Sequence, residues 1–414
     1  MTGNPERYQE EWPSAIIAGA HRTGVVAMRD LSRRGVPVSC VDCDPTEAGF
    51  LRRYGKAHIC PNPDENSEGW LRFMLALARN FDRKPALIPA SDRFLSAIAN
   101  HAQELADAYS LGADPKLQDR LSQKESLYLL ANEHGMPIPR TGKVRTAADL
   151  FEFAKRAVFP CLLKPMSARE WEVFPPGHPL HLAKVAVAQD IEQLLQLYRV
   201  VASISPILSI QEVIEGPDTA KLVYLSCYDR SGRRIGNAMV RELRCHPQGF
   251  GSAGVCEPCA DAEADAVCDE FLQRAGCRGL CEIELKRDSR DQSLKMIEAN
   301  PRLSVTGDAA AYDGVDLCWL HYLDLIGQHV EPVNPQVRDY RHIMVVRDVQ
   351  SLRQAWENRK LQWRDIARTY KRPLVFYDVD LHDLRYTLKT CYFALHVIGG
   401  AICRKFVPKR YRSA

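Results

Sequence analysis

No apolar run of the 414-residue sequence reaches the roughly 20 residues that a membrane-spanning helix takes, and the tail stretch 390–403 stops at fourteen. A multi-span membrane protein is excluded. Charge of one sign is also lacking. The formal net charge is +3, but Arg385, Lys389, Arg404, Lys405, Lys409, Arg410 and Arg412 follow Asp383 with no acid among them. Removing those seven charges leaves −4, so no overall basic character points to nucleic acid. The fingerprint G-x-G-x-x-G is missing: Gly19-Ala-His-Arg-Thr-Gly24 carries two glycines, which makes dinucleotide binding the weaker reading. The twelve histidines show no metalloprotease or triad spacing. Fourteen cysteines are too sparse for a small disulfide scaffold. The pairs Cys40/Cys43 and Cys256/Cys259 could make a four-thiolate zinc site, yet they fall in different expected domains without the tight spacing of a zinc ribbon. The first seven residues contain no apolar signal region, so reduced thiols in a cytoplasmic protein are the expectation.

At about 150 residues per domain the length suggests roughly three units, and 46% hydrophobic with 26% charged residues is ordinary globular usage. Ser14-Ala-Ile-Ile-Ala-Gly19 reads as a buried strand, followed by a helix through Val26, Met28 and Leu31 that Gly35 closes. Residues 36–42 and 86–90 supply further strands, and alternation with helices implies a parallel sheet with covered faces. Ser122-Gln-Lys-Glu125 has capping-box spacing ahead of a helix that stops at Gly135. From Phe159 the texture changes. Strands at 161–164 and 207–212 precede a hairpin of 221–228 with 234–241, and a second strand pair follows at 280–286 and 294–299.

That last pair carries the chemistry. In Cys281-Glu-Ile-Glu-Leu-Lys286, period-two alternation puts Glu282, Glu284 and Lys286 on one face. Glu298 and Asn300 share a face of the next strand, and a hairpin between the two strands places them near Glu284. Two carboxylates and an amide oxygen suit a hard divalent cation completed by water and phosphates. The alternative is a solvated strand face with Glu/Lys pairing. Upstream, Lys124 sits in the first turn of a helix, and Lys164 ends an apolar strand, where its ammonium must meet water or an anion. Ile210-Gln-Glu-Val-Ile-Glu-Gly-Pro-Asp218 reads as a strand entering a hinge whose backbone could meet adenine, with Asp218 at ribose hydroxyls.

With these residues the sequence resembles the ATP-grasp superfamily, specifically its ATP-dependent carboxylate-amine ligases of the D-aspartate ligase-like group. The resemblance runs from about Pro13 to Gly327. It rests on GLCEIELKRDSRDQSLKMIEANPRLS, supported in order by SQKESLYLLANEHGMPIPRT, PCLLKP, QEVIEGPD and RELRCHPQGFGSAG. It implies an α/β protein in which a parallel-sheet, Rossmann-like domain (1–115) precedes a two-lobed ATP-grasp unit (116–330). The lobes would span about 140–215 and 216–330, with a C-terminal appendage over 331–414. Lys124, Lys164 and Lys184 would hold nucleotide phosphates, Gln211, Glu212 and Ile214 would contact adenine, and Asp218 the ribose. Glu284, Glu298 and Asn300 would bind magnesium, with manganese as the alternative. Arg302 and Arg244 would stabilise transferred phosphate or an acyl-phosphate, while Arg22 and Asp92 would touch the substrate. Two departures stand out: no glycine occurs in 166–174 where many members have a glycine-rich phosphate loop, and Glu242 stands where relatives commonly carry lysine.

The implied activity is ATP- and Mg2+-dependent joining of a carboxylate to an amine through an acyl-phosphate, on small molecules such as amino acids. The rivals are a carboxylating or kinase-like member of the superfamily and a catalytically silent, membrane-associated nucleotide-binding regulator. For 384–412 three readings stay open: a helix lying on anionic lipid at the inner membrane face, a helix docked on its own core or on a homodimer mate, or disorder.

Overall fold

The computed structural model describes residues 12–406 apart from 52–53, 166–167, 176–177, 182, 184, 206, 360 and 381. The architecture is mixed α/β around three sheets. The first is parallel and contains β1 (Ala15–Ala18), buried along its whole length as a strand covered on both faces must be. Helix α1 (Arg22–Arg33) follows, then β2 (Val38–Asp42), β3 (Lys56–Ile59), α2 (Ser67–Ala78), β4 (Ala86–Pro89), α3 (Asp92–Asn100) and α4 (Ala102–Ala106). The strand order is β3-β2-β1-β4. A Cβ on Gly24 would lie 1.9 Å from the Gly19 carbonyl oxygen, so this glycine lets α1 begin hard against the strand end. The Gly19/Gly24 pair is thereby explained by packing.

Helices α5 (Pro115–Ser122) and α6 (Lys124–His134) connect this sheet to the next. Gly135, with φ of 74°, ends α6 as expected. The capping box at Ser122 does not form. Ser122 closes α5, and its hydroxyl donates backward to the Asp119 carbonyl at 2.8 Å. The box stands instead at Thr146 and Asp149, where α7 (Ala147–Ala154) begins.

The second sheet is antiparallel, with its strands in the order 141–144, 208–212, 161–165 and 186–188. It is built by β5 (Thr141–Val144), α7 (Ala147–Ala154), β6 (Cys161–Pro165), β7 (Ala186–Ala188), α8 (Ile191–Val201) and β8 (Leu208–Glu212). Leu163, Trp171, Leu194, Leu208 and Ile210 form its core.

The third sheet comprises β9 (Lys221–Tyr228), β10 (Arg234–His246), β11 (Ser252–Pro258), β12 (Gly279–Arg287) and β13 (Leu294–Asn300), with α9 (Ala262–Arg274) between β11 and β12. Helices α10 (Gly307–Tyr312) and α11 (Leu317–Leu325) follow. The chain then adds β14 (Arg341–Ile343), α12 (Val345–Glu357), α13 (Trp363–Tyr370), β15 (Leu374–Phe376) and α14 (Leu384–Phe406). Strand β14 pairs with β11 and β15 with β14, giving seven strands in order β13-β12-β9-β10-β11-β14-β15. The segment expected as an appendage therefore extends the large sheet. One face of that sheet packs Ile283, Leu285 and Met296 against Leu127, Phe271 and Leu272. The other face shares a core with the first sheet, where Val223 and Leu225 join Ile17, Met28, Leu320 and Tyr322. At about 1.5–3 kcal/mol per fully buried large aliphatic side chain, this shared core holds the N-terminal sheet on the large one. Among the described residues no helix is long and apolar enough to cross a membrane.

Candidate active site

A cleft of about 480 Å³ separates the antiparallel sheet from the seven-stranded one. Its floor is the β12–β13 hairpin. Glu284 faces Glu298 and Glu282 faces Asn300 across the ladder, so the hairpin brings together the residues that alternation put on one face of each strand. Glu282 is spoken for: it accepts from Asn300 Nδ2 at 2.7 Å, from Thr306 Oγ1 at 3.2 Å and from the Ser304 hydroxyl. Glu284 has its pKa pushed well above the carboxyl range, by burial first and then by the charges of Glu298 and Glu282. Two facing carboxylates in a partly desolvated cleft repel, and a divalent cation is the group that would relieve them. Among the described residues no three His, Cys, Asp or Glu side chains gather to ligate a metal. The donor set Glu284, Glu298 and Asn300 fits a magnesium ion that takes its remaining ligands from water and phosphate, and does not fit a closed protein cage.

Lys164 faces this floor from β6. Its Nζ donates to Gln211 Oε1 at 3.1 Å, while Gln211 Nε2 donates to the Tyr128 hydroxyl at 2.7 Å and to Thr141 Oγ1 at 3.0 Å. Tyr128 in turn donates to the Ile297 carbonyl at 2.9 Å. The Gln211 side chain is thus a brace that aims Lys164. Burial and the nearby Lys124 lower the Lys164 pKa to about 8, against the pull of Glu298 and Glu284. Because the folded value lies below the ordinary 10.5, burial of this charge costs stability below about pH 8, and the cost is relieved as pH rises toward 10.5. An anion that needs the ammonium should bind about tenfold less tightly at about pH 9 than at about pH 7. Titration of Mg-ATP binding across that range would check it, with Lys164→Met expected to flatten the profile.

The remaining expected nucleotide residues fall as follows. Lys124 is the exposed first residue of α6 at the cleft wall, and Glu212 and Ile214 line the cleft. The amides of Glu212 and Val213 already donate to the Arg140 and Pro160 carbonyls, at 2.9 Å each. Glu212 also accepts from the Val158 amide at 2.8 Å. Asp218, expected at the ribose, accepts with its two oxygens from the amides of Cys245 and Gly249 and so braces the 245–251 loop. Lys184 lies outside the described residues. Two cleft cations were not assigned from sequence. Lys221 and Lys286 line the cleft, and Lys221 donates to buried Glu242 at 3.1 Å and to the Gly251 carbonyl at 3.0 Å. Glu242, where a lysine was the expectation, is the acidic half of this pair.

Arg302 joins the cleft to a second cavity of about 480 Å³. Its guanidinium forks onto the Asp92 carboxylate, at 2.5 and 3.2 Å, and also donates to Asn300 Oδ1 at 3.0 Å. Asp92 begins α3 at the end of β4, so the first sheet supplies one half of the pair and the β13 turn the other. His21, Arg22, Met344, Arg347 and Tyr377 line the far side of the second cavity. Burial, and then the Arg302 charge, lower the His21 pKa and so favour the neutral imidazole. Arg22 reaches Asp378 at 3.3 Å. Arg347, which the sequence reading missed, has no carboxylate within ion-pair distance among the described residues, and donates only to Met344 Sδ at 3.3 Å. Arg244, expected at the transferred phosphate, has its guanidinium held by Asp348 and Thr369 at 2.8–2.9 Å and does not line either cavity.

Two lobes closing over a facing-glutamate hairpin can be compared with solved structures. N5-carboxyaminoimidazole synthetase from Staphylococcus aureus complexed with ADP superposes with a TM-score of 0.63 at 12% identity, covering 84% of this chain and 87% of that one. The chain has the ATP-grasp fold. In sequence, it is 24% identical over 281 residues to a D-aspartate ligase of Enterococcus faecium, covering 64% of this chain and 66% of the ligase. It is 25% identical over 208 residues to the C-terminal section of the carbamoyl phosphate synthase large chain of Methanopyrus kandleri, covering 47% of this chain and 35% of that protein. The chain thus spans less than two thirds of either curated relative. No protein-family model matches it. In this fold the second and third sheets flank the cleft, and Lys164 and the β12–β13 hairpin face each other across it.

Proposed function

We propose that this protein is an ATP- and Mg2+-dependent ligase that joins a small carboxylic acid to an amine and releases ADP and phosphate. The observation that carries the reading is that the two cavities share the Asp92–Arg302 pair as a common wall, which sets a space for a nucleotide beside a space for a substrate. The D-aspartate ligase similarity supports the same class. Lys124 and Lys164 bind the phosphates, and Glu284, Glu298 and Asn300 would hold the magnesium, which supplies neutralisation of phosphate charge. An oxygen of the substrate carboxylate attacks the γ-phosphorus and ADP leaves, forming an acyl-phosphate. The amine nitrogen then attacks the acyl carbon, the C–O bond to phosphate breaks, and the nitrogen loses its proton. Phosphoryl transfer needs positioning and electrostatic stabilisation more than covalent help. Arg302, at the shared wall, faces the charge that moves between the cavities, while Arg347 and Arg22 offer cations to the substrate carboxylate.

ADP release measured with Mg-ATP across paired panels of amino acids and carboxylates, with mass spectrometry of products, tests this. Release that requires both an acid and an amine, with a product lighter by one water than their sum, is expected. Dependence on bicarbonate, or a stable phosphorylated product, would replace the ligase by the carboxylating or kinase-like reading.

A further inference from the structure

Helix α14 presents three faces. Tyr386, Thr390 and Ala394 are buried, and the helix is tied to α12 by Arg353, whose Nη1 donates to the Val397 carbonyl at 3.1 Å. Its second face is apolar and turned outward: Leu384, Leu388, Tyr392 and Leu395 are each 64–67% exposed, with exposed Cys391 among them. The third carries Arg385, Lys389 and His396, and Lys389 Nζ sits 5.9 Å from the Phe393 ring. At 100° per residue the apolar positions fall within about a third of the helix circumference and the basic ones beside them. Soluble surfaces rarely leave such a continuous stripe open.

Charge decides what covers it. After Asp383 the chain has seven Lys and Arg and no Asp or Glu. A second copy docked through this stripe would bring two such helices together with no carboxylate on either helix to meet the cations. An anionic lipid surface answers both features, because the apolar stripe enters the acyl boundary while the bases meet headgroup phosphates. The helix does not qualify as a membrane span, so it would lie in the plane of the interface. We infer that α14 docks this protein on an anionic bilayer through Leu384, Leu388, Tyr392 and Leu395. None of these residues belongs to the cleft, so docking stands or falls independently of the ligase reading.

The test is flotation of the full chain with vesicles of phosphatidylcholine alone and of an equal mixture with phosphatidylglycerol, comparing wild type with Leu388→Glu/Leu395→Glu. Both substituted positions are solvent-exposed, so the variant should fold, and unchanged circular dichroism and nucleotide binding would verify that. The wild type is expected to float with the mixed vesicles at low salt, at least tenfold more than with phosphatidylcholine, and to be released by high salt. The variant should lose at least tenfold of that binding. A wild type that stays unbound, or a folded variant that floats equally well, overturns the proposal. So does a wild-type dimer in sedimentation that the same variant makes monomeric, which would assign the stripe to a second copy.

Discussion

Glu298→Gln should lower ATP turnover by about a thousandfold or more while making the ligand-free protein more stable. Both effects follow from the same contact. Glu298 is the register partner of Glu284, and its charge, with burial, raises the Glu284 pKa. A carboxyl whose folded value lies above its unfolded value is stabilising only at low pH. That contribution is lost as pH rises from the ordinary carboxyl range toward the raised value, so at neutral pH the ligand-free protein is less stable for having Glu284 beside Glu298 than it is at low pH. Removing the Glu298 charge relieves part of that loss, and a melting temperature higher by about a few degrees at neutral pH is expected. Magnesium with ATP should stabilise the wild type and leave Glu298→Gln nearly unaffected, because the variant lacks one of the two carboxylates proposed to hold the metal. Thermal melts with and without Mg-ATP, read beside ADP release, check all three points. Wild-type turnover in a folded Glu298→Gln protein would refute the metal assignment.

The contrast between Glu284 and Arg244 shows what could be read from the chain. Glu284, Glu298 and Asn300 meet because two adjacent strands alternate with period two and are joined by a short turn, and both rules act over fewer than twenty residues. The hairpin was therefore legible, although its register, which sets Asn300 opposite Glu282 rather than Glu284, was not. Arg244 looked like part of the same chemistry, but its partners Asp348 and Thr369 lie 104 and 125 residues downstream. No local pattern announces a pairing that depends on α12 and α13 returning to the sheet. Gln211 was only half legible for a related reason: its place in the hinge strand could be read, but Tyr128 and Thr141, which turn its side chain toward Lys164, arrive from α6 and β5. Arg347 could have been found only by asking which cations lack acids, and that question needs coordinates.

Arg302→Ala carries the second large expected effect, a fall in kcat of about a hundred- to a thousandfold with little change in Mg-ATP affinity. The pair geometry supports this separation. Asp92 is more than half exposed whereas Arg302 is mostly buried, so deleting the guanidinium leaves a carboxylate that water can solvate, and the folding cost stays small. Asn300 loses a donor at Oδ1 but keeps its bond to Glu282, which preserves the metal-side geometry. What disappears is a fixed cation at the wall between nucleotide and substrate, where it would act most strongly on the charge distribution of the transferring group. Arg302→Lys should rescue only part of the loss, because a single ammonium cannot fork onto Asp92 and reach Asn300 as the planar guanidinium does. Asp92→Asn should cost less than Arg302→Ala, since it loosens the guanidinium without removing its charge. Steady-state kcat and KM for the three variants, with Mg-ATP binding measured separately, would separate a positioning role for Asp92 from direct action by Arg302. Equal losses of kcat in Asp92→Asn and Arg302→Ala would instead mean that the pair acts only as a hinge between the sheets.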